Sequence, residues 1–357
     1  MKRFILIFSI LHLVLVTLGQ SDSSKPDLSL SGYVDVFYGY DFNEPDIVRQ
    51  PFLYHYNRHN TVNLNIGLIR LDVENEKYHG RIALQAGTYA RDNYAAEPIL
   101  YRPINEAYVG FTANKNGNLW IDAGIFSSHL GFESAIGVDN PTLSRSLAAE
   151  SSPYFLSGVK MTHELNDKWT YSLIFSNGWQ RIMRVPGNSM PSGGTQLVFT
   201  PSKKVLVNWS TFVTTEDPDS LRRMMYFNDF YMTLTWNEKW QTIIGMDYGL
   251  KQEAKGSNAF DNWYNASFIT QYKINTFWAS AIRIEYFNDH KNIIINTGSG
   301  NDFETVGVSM NIDRRIHNNI FWRTEVRTFL STLANFSISN GFSTNNTTLL
   351  TSLALKL

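Results

Sequence analysis

Residues 30–42 read Leu-Ser-Gly-Tyr-Val-Asp-Val-Phe-Tyr-Gly-Tyr-Asp-Phe, and this stretch decides the fold. One face of an extended chain would carry the mostly apolar side chains Leu30, Gly32, Val34, Val36, Tyr38, Tyr40 and Phe42. The other face would carry Ser31, Tyr33, Asp35, Gly39 and Asp41. A period of two residues predicts a β-strand with one apolar and one polar face. Strands of outer-membrane barrels have this pattern, apolar toward lipid and polar toward the lumen.

The composition of the whole chain supports strands as the membrane-crossing elements. Aromatic residues make up 14% of the chain and charged residues only 18%. Beyond residue 20, no apolar run reaches the roughly 20 residues that a spanning helix needs, so any further crossing must be made by strands. The formal net charge of −1 gives no basic excess that would indicate nucleic acid. The absence of cysteine excludes thiolate metal sites, and no motif predicts another metal or a cofactor.

The N-terminus has the pattern of an export signal. Met1-Lys2-Arg3 is a charged region, Phe4 to Leu18 is apolar, and small residues follow near Gly19. We therefore expect residues 1–20 to be a cleaved signal peptide and residues 21–357 to form a single outer-membrane barrel.

Compact turns and long polar segments alternate along the rest of the chain. The compact turns are predicted at 74–77, Asn114–Gly117, Asn166-Asp167, Pro201-Ser202, Asn237-Glu238, Lys273–Asn275 and Asp313-Arg314. The long segments are predicted at 43–60, 90–103, 177–193, 215–223, 251–261, 288–302 and 330–346. Counting the alternating segments between these breaks gives about sixteen antiparallel strands with both termini on the periplasmic side. A parity change in the second strand predicts a β-bulge near Gly67.

The last alternating segment, Thr347 to Leu357, ends with the chain. It resembles the C-terminal strand that the barrel-assembly machinery recognises, and it supports closure of the barrel. Outer-membrane lipid and lipopolysaccharide are the other expected partners, with small hydrophilic solutes in the lumen. A homotrimer is predicted only by analogy with sixteen-stranded porins.

One connection, residues 127–154, is far too long for a hairpin turn. Its apolar residues need a buried place, which argues against disorder. Asn140 followed by Pro141 is a helix-start pair, which predicts a short helix through about Ala149. We predict that this loop folds into the barrel as its constriction or plug.

Several motifs together resemble the OmpL-like β-barrel porin-2 family of Gram-negative outer membranes. They are Leu84–Tyr89, Asn105–Tyr108, Gly124–Phe126, Ser128–Ser134, Asp139-Asn140, Ser144–Ser146 and Glu150–Tyr154. Arg283–Phe287 and Arg323–Arg327 resemble the inward-facing Arg and Glu pattern of the family. The pattern departs at Phe329, where the resemblance implies an acidic residue. The resemblance implies a porin-like barrel and leaves the solute open.

By strand parity, five charged side chains face the lumen: Arg283, Glu285, Arg323, Glu325 and Arg327. An arginine facing lipid near the midplane would cost about 2–4 kcal/mol, which favours the inward assignment. We hypothesise that the arginines face the loop carboxylates Glu133, Asp139 and Glu150, so that a transverse field crosses the constriction. The alternative is a set of ion pairs that hold the loop without tuning permeation. Arg145 is interpreted as an anchor of the loop helix on the wall.

Three functions remain open at the level of sequence. The first is a porin for passive diffusion of small hydrophilic solutes or ions. The second is a plugged barrel that serves as an adhesin or scaffold, and the third is an outer-membrane hydrolase. Ser127, Ser128 and His129 are adjacent, but neighbouring strand residues point in opposite directions and a nucleophile needs a convergent base. We therefore predict no enzymatic activity.

Overall fold

The computed structural model describes residues 25–357, and the predicted signal peptide lies outside these residues. Sixteen antiparallel strands close into one barrel, in which each strand pairs with its sequence neighbours. The first strand closes the ring against the last, with Val36 opposite Leu353. The predicted fold class, an all-β transmembrane barrel of about sixteen strands, is confirmed.

The strands are β1 Asp27–Asp41, β2 Thr61–Glu74, β3 Tyr78–Ala86, β4 Ile104–Thr112, β5 Leu119–Ser127, β6 Phe155–Asn166, β7 Trp169–Ser176, β8 Ser192–Ser202, β9 Val205–Thr214, β10 Met225–Thr235, β11 Trp240–Gln252, β12 Phe260–Lys273, β13 Trp278–Asp289, β14 Phe303–His317, β15 Ile320–Leu330, β16 Phe336–Ile338, β17 Gly341–Ser343 and β18 Asn345–Lys356. The short strands β16 and β17 pair with each other outside the barrel sheet.

From residue 33 onward, the side chains of β1 alternate between exposed and buried, as the alternating apolar and polar residues predict. Leu30 is 73% exposed and Val34 44%, whereas Asp35 is fully buried inside the barrel. The same alternation continues in β12, where Trp263 and Asn265 are buried and Tyr264 is exposed. A closed sheet of this kind satisfies its backbone groups between strands and leaves no edge.

The two ends of the barrel differ. At one end, the turn end, the strands are joined by residues 75–77, 113–118, 167–168, 203–204, 236–239, 274–277 and 318–319. At the other, the loop end, they are joined by residues 42–60, 87–103, 128–154, 177–191, 215–224, 253–259, 290–302 and 331–344. The predicted turn at Asp313-Arg314 is wrong, because both residues lie inside β14 and the chain turns at 318–319. The predicted turn at Pro201-Ser202 lies two residues too early.

The β-bulge predicted near Gly67 is confirmed in β2. Asp35 is opposite Ile66 and Val36 is opposite Leu64, so the extra residue is Asn65 rather than Gly67. Because the bulge shifts the side-chain alternation, both Asn65 and Ile66 are buried inside. The Asn65 side chain accepts a hydrogen bond from the Tyr56 backbone N–H at 3.2 Å, and it thereby holds the loop 42–60.

The described residues contain two short α-helices, both in connections at the loop end. They are α1, Thr88–Asn93, and α2, Leu147–Glu150, and a 3-10 helix covers Gly137–Asp139. None of the described helices has the length and apolar character needed to cross a membrane. The helix predicted to start at Asn140-Pro141 begins instead at Leu147, because Ser146 provides the N-cap. Its Oγ accepts a hydrogen bond from the Ala149 N–H at 3.2 Å.

Candidate functional site: the inner loop and the passage beside it

Residues 128–154, here called the inner loop, lie against inward-facing side chains of β13, β14 and β15. The Leu143 N–H donates to Asn311 Oδ1 at 3.0 Å, and the Ser144 N–H donates to Glu325 Oε2 at 2.5 Å. The Leu147 N–H, in the first turn of α2, donates to Glu285 Oε2 at 2.7 Å. Wall carboxylates and an amide thus satisfy backbone groups that the short loop elements leave free.

Arg283 of β13 joins the wall to the inner loop. Its Nη1 lies 2.6 Å from the Ser144 carbonyl oxygen and 2.9 Å from Thr142 Oγ1. Its guanidinium also pairs with two wall carboxylates, at 3.2 Å to Glu285 and 2.8 Å to Glu325. All of these charged side chains are buried, and each is paired and hydrogen-bonded, as buried charges require.

Arg327 of β15 makes the same kind of connection. It donates to Glu285 Oε1 at 2.6 Å and to the Arg145 carbonyl oxygen at 2.9 Å. Its guanidinium carbon lies 4.3 Å from the ring centroid of Phe329, a cation–π contact. Phe329, where the family pattern implied an acidic residue, therefore supports Arg327 with its ring while Glu285 supplies the charge.

Arg323 holds the part of the inner loop that reaches nearest the turn end. It pairs with Asp313 of β14 at 2.7 Å and donates to the carbonyl oxygens of Gly137 and, at 2.9 Å, Asn140. Beside it, Asp139 forms an ion pair with Lys356 of β18, and both side chains are well exposed. Asp139 is thus paired with a lysine of the last strand and not with a wall arginine.

The other two loop carboxylates also find partners within the loops. Glu150 pairs with Arg145 at 2.8 Å and accepts from the Tyr54 N–H of the loop 42–60 at 2.9 Å. The Arg145 guanidinium lies 3.6 Å from the ring centroid of Tyr154. Burial lowers the pKa of Arg145, but the Glu150 carboxylate together with Tyr154 and Tyr89 more than reverses this, so the pKa is raised overall. The Arg145 side chain contacts loop residues, whereas our interpretation placed it as an anchor on the wall.

Glu133 accepts hydrogen bonds from the Ser146 N–H, at 2.9 Å, and from the Ser146 hydroxyl. Burial raises the pKa of Glu133. Asn140 binds a different part of the loop, since its Nδ2 donates to the Ser134 carbonyl oxygen at 2.8 Å. In the described chain, no wall arginine therefore forms an ion pair with Glu133, Asp139 or Glu150.

Two cavities lie beside the inner loop. The lower cavity, of about 330 Å³, is lined by side chains that include Leu68, Arg70, Glu106, Glu133, Tyr154 and Tyr231. The upper cavity, of about 390 Å³, opens toward the loop end and is lined by side chains that include Phe52, Tyr54, Glu97, Trp179, Arg181 and Lys251. Only Tyr94 and Ser152 line both cavities, so these two residues lie between the lower and the upper cavity.

The predicted wall residues line neither cavity. Of the nine predicted site residues, Glu133 lines the lower cavity and Glu150 the upper one, and the other seven line neither of these two. Arg70 and Lys251 are not among the residues predicted from the sequence. Both carry a detectable signal, since each is a charged residue at an inward-facing position, Arg70 within an apolar strand and Lys251 near the end of one. Tyr94 carried no such signal, because it follows α1 in a loop of unpredictable path.

The adjacent serines and histidine do not form a catalytic pair. Ser127 Oγ donates to Glu106 Oε1 at 2.8 Å, and Ser128 Oγ accepts from the Leu130 N–H at 3.2 Å. His129 Nε2 lies 3.0 Å from the Thr211 carbonyl oxygen. Within residues 25–357, no hydrogen bond joins His129 to either serine.

A closed sixteen-stranded antiparallel barrel, with short turns at one end and long loops at the other, has the architecture of an outer-membrane porin. The chain belongs to the family described as "Putative beta-barrel porin-2, OmpL-like", whose model matches residues 27–357. No curated protein matches it in sequence. The family and the fold locate the protein in the outer membrane, with the loop end outside.

Solved structures of other outer-membrane channels have the same fold. The outer membrane channel DcaP of Acinetobacter baumannii superimposes with a TM-score of 0.63 at 11% identity, covering 95% of this chain and 99% of that chain. An anion-selective porin from Comamonas acidovorans gives 0.62 at 6% identity, covering 93% and 100%. OmpF of Salmonella typhi, in complex with daunomycin, gives 0.62 at 11% identity, covering 94% and 99%. At such identities the likeness shows the fold alone.

Proposed function

We propose that the protein is a passive diffusion porin for small hydrophilic solutes, with its passage between the inner loop and the wall formed by β2, β4 and β10. The observation that carries this proposal is that Tyr94 and Ser152 line both the upper and the lower cavity, so that only these two side chains need to leave space for the cavities to form one passage. A barrel of sixteen strands is wide enough to hold an aqueous channel beside an inward loop. The inner loop is bound to β13–β15. The lower cavity therefore lies between the inner loop and the other strands, β2, β4 and β10.

The level of Tyr94 and Ser152 is the proposed constriction. Tyr94 is buried and stacks on Phe155, with ring centroids 4.1 Å apart and an interplanar angle of 11°. This stacking holds the Tyr94 ring in place on one side of the proposed constriction. Ser152 supplies the other side and is small, so a larger residue at this position would fill the space that solutes need.

The test is single-channel conductance of the folded protein in a planar bilayer. The parent should conduct, and Ser152→Trp should lower the conductance several-fold. Ser202→Trp, at an exposed position of β8 outside both cavities, is the matched control and should conduct like the parent. A conducting parent with an unaffected Ser152→Trp variant would place the passage elsewhere.

A plugged barrel that serves as a scaffold is the second candidate, and an apolar cluster at the loop end favours it. Phe52 of the loop 42–60 packs inside against Phe303, Phe329 and Phe336, with ring centroids 5.2 to 6.4 Å apart. A parent that never conducts, together with a conducting variant lacking residues 131–150, would establish the plug. Recognition of the C-terminal strand by the assembly machinery and the homotrimer stay predictions.

A further inference from the structure

We infer that the passage selects small organic anions, and that Arg70 in the lower cavity and Lys251 in the upper cavity are the two residues that attract them. The inference rests on the proposed function, since it assigns a solute class to the same passage. It depends on which charges along the cavities already have partners and which do not.

Arg70 faces the lower cavity and has no ion-pair partner within residues 25–357. It lies in β2 with inward parity between the buried residues Leu68 and Asp72. Asp72 forms an ion pair with Arg81 of the neighbouring strand at 2.5 Å, and Arg81 also forms an ion pair with Glu106 at 3.1 Å. The Arg70 Nε is buried and has no hydrogen-bond partner. Because Arg81 holds both nearby carboxylates, the Arg70 guanidinium is left for a solute.

Lys251, at the loop end of β11, also lines a cavity while the carboxylates near it are bound by other groups. Three carboxylates lie near it, and each is held by another group. Glu216 pairs with Arg181 at 2.8 Å, and Asp217 pairs with Arg223 at 2.8 Å. The third, Asp289, accepts from the backbone N–H groups of Ile293, Ile294 and Ile295 at 2.8 to 2.9 Å. The Lys251 ammonium therefore has no ion pair among the residues that the structure describes.

The carboxylates that line the passage are all engaged. Glu97 accepts from the N–H groups of Ile182 and Met183 at 3.0 and 3.1 Å. Glu106 is bound by Arg81, Glu150 by Arg145 and Glu216 by Arg181. Glu133 accepts from Ser146 through Oε2, while its Oε1 is buried without a hydrogen-bond partner in the described chain and presents no surface to a solute. The charges that remain free to meet a solute are two cations, one at each level, and a narrow passage selects by such charges.

The walls of the upper cavity add an apolar requirement. Phe52, Tyr54, Trp179, Met225 and Ile294 line it together with Lys251. A flat apolar group can pack on these side chains while an ammonium binds its charge. In the lower cavity, a guanidinium can hold a carboxylate through two parallel hydrogen bonds. The solute class that fits both cavities is a small carboxylate with an apolar body.

The experiment measures the reversal potential of the full-length folded protein in a planar bilayer under a KCl gradient. The parent should prefer chloride to potassium. Arg70→Gln and Lys251→Gln should each lower the chloride-to-potassium permeability ratio by about threefold or more, because a full charge is removed from a poorly screened passage. Arg70→Lys and Lys251→Arg should retain the parent ratio, which separates charge from folding.

The matched controls are Arg91→Gln and Lys255→Gln, which make the same chemical changes outside both cavities. The Arg91 side chain is 72% exposed, and Lys255 lies in an exposed loop. Both should keep the parent permeability ratio. A variant that folds should keep the gel mobility of the closed barrel, which shifts on heating.

Sodium benzoate and sodium acetate, added to one side, test the solute class. Benzoate should reduce the KCl current at lower concentration than acetate, and Arg70→Gln should weaken that block. A conducting parent that prefers potassium, or permeability ratios that do not change in Arg70→Gln and Lys251→Gln, would overturn the anion inference and leave passive diffusion standing. A folded parent without any conductance would overturn the diffusion function itself.

Discussion

Arg283 Nη2 lies 2.8 Å from Glu325 Oε1, and this fully buried pair connects β13 to β15 across β14. The same two residues also bind the inner loop, Arg283 through Ser144 O and Glu325 through Ser144 N–H. The pair is therefore part of a clamp that holds the inner loop to the wall. We define the clamp by Arg283, Glu285, Arg323, Glu325 and Arg327.

Removing one member of the clamp should destabilise the barrel. In Arg283→Met, the Glu325 carboxylate loses its only ion pair in the described chain, and a buried charge left without its partner costs about 3–5 kcal/mol. We expect the free energy of unfolding in detergent to fall by that amount. Arg91→Met, at an exposed position, should cost less than about 0.5 kcal/mol. An equally stable Arg283→Met variant would contradict the clamp.

The clamp should have little effect on permeation. Because Arg323 and Arg327 line neither cavity, the double variant Arg323→Gln with Arg327→Gln should lower stability and leave the reversal potential under a salt gradient unchanged. A shifted reversal potential in a barrel of parental stability would support the transverse field of wall arginines and loop carboxylates instead. Arg70→Gln, measured in parallel, is the positive control, because its reversal potential should shift.

The start of α2 should be sensitive to its cap. Ser146→Ala removes the acceptor of the Ala149 N–H and the donor to Glu133. Loss of an N-cap typically costs about 1 kcal/mol. We expect a comparable fall in the free energy of unfolding and faster cleavage of the inner loop by added protease. Ser202→Ala, an exposed serine of β8, should change neither measurement.

A glycine in β11 makes room for a buried tryptophan. A Cβ atom on Gly249 would lie 2.1 Å from Cζ2 of Trp263, which is fully buried. Gly249→Ala should therefore destabilise the barrel by about 1–3 kcal/mol through overpacking. Gly193→Ala is the control, since its nearest neighbour would lie 3.8 Å away. Equal midpoints of chemical unfolding for the two variants would show that the ring moves freely.

Acid should weaken the contact between the inner loop and the barrel wall, because it protonates the buried His129. Burial lowers the pKa of His129 to about 4, against an unfolded value of about 6.5. The unfolded chain therefore binds the proton first, so this contribution is complete above about pH 6.5 and is lost as the pH falls toward 4. At full loss it amounts to about 3 kcal/mol, from about 1.4 kcal/mol per pKa unit.

The measurement is the free energy of unfolding at pH 7.5 and pH 4.5 for the parent, His129→Gln and His317→Gln. The first variant should lose less stability on acidification than the parent. His317, an exposed residue at the turn end of β14, is the control and should behave like the parent. Identical acid losses in all three proteins would remove His129 as a cause.

The sequence predicts the barrel wall well because strand alternation is a local property. Residues 33–42 alternate in burial as their pattern predicts. The errors concern features that local patterns do not determine. Ser146 starts α2 because the wall carboxylates fix the path of residues 142–147.

The partners of the charged residues could not be predicted for a different reason. Parity shows correctly that Arg283 and Glu325 face inward, but it does not show which strands lie side by side in the required register. The loop carboxylates were expected opposite the arginines, and the wall carboxylates proved nearer. Selecting Arg70 would have required knowing that Arg81 binds both Asp72 and Glu106.

The clamp also imposes an order of assembly. The wall residues that bind Gly137 and Ser144 follow them in the chain by between 139 and 186 positions. Residues 137–147 of the inner loop are therefore synthesised and exported long before the clamp residues that bind them, whereas His129 already has its partners in β8 and β9. A barrel without β13 and β15 lacks every clamp residue, so these strands complete both the ring and the attachment of residues 137–147.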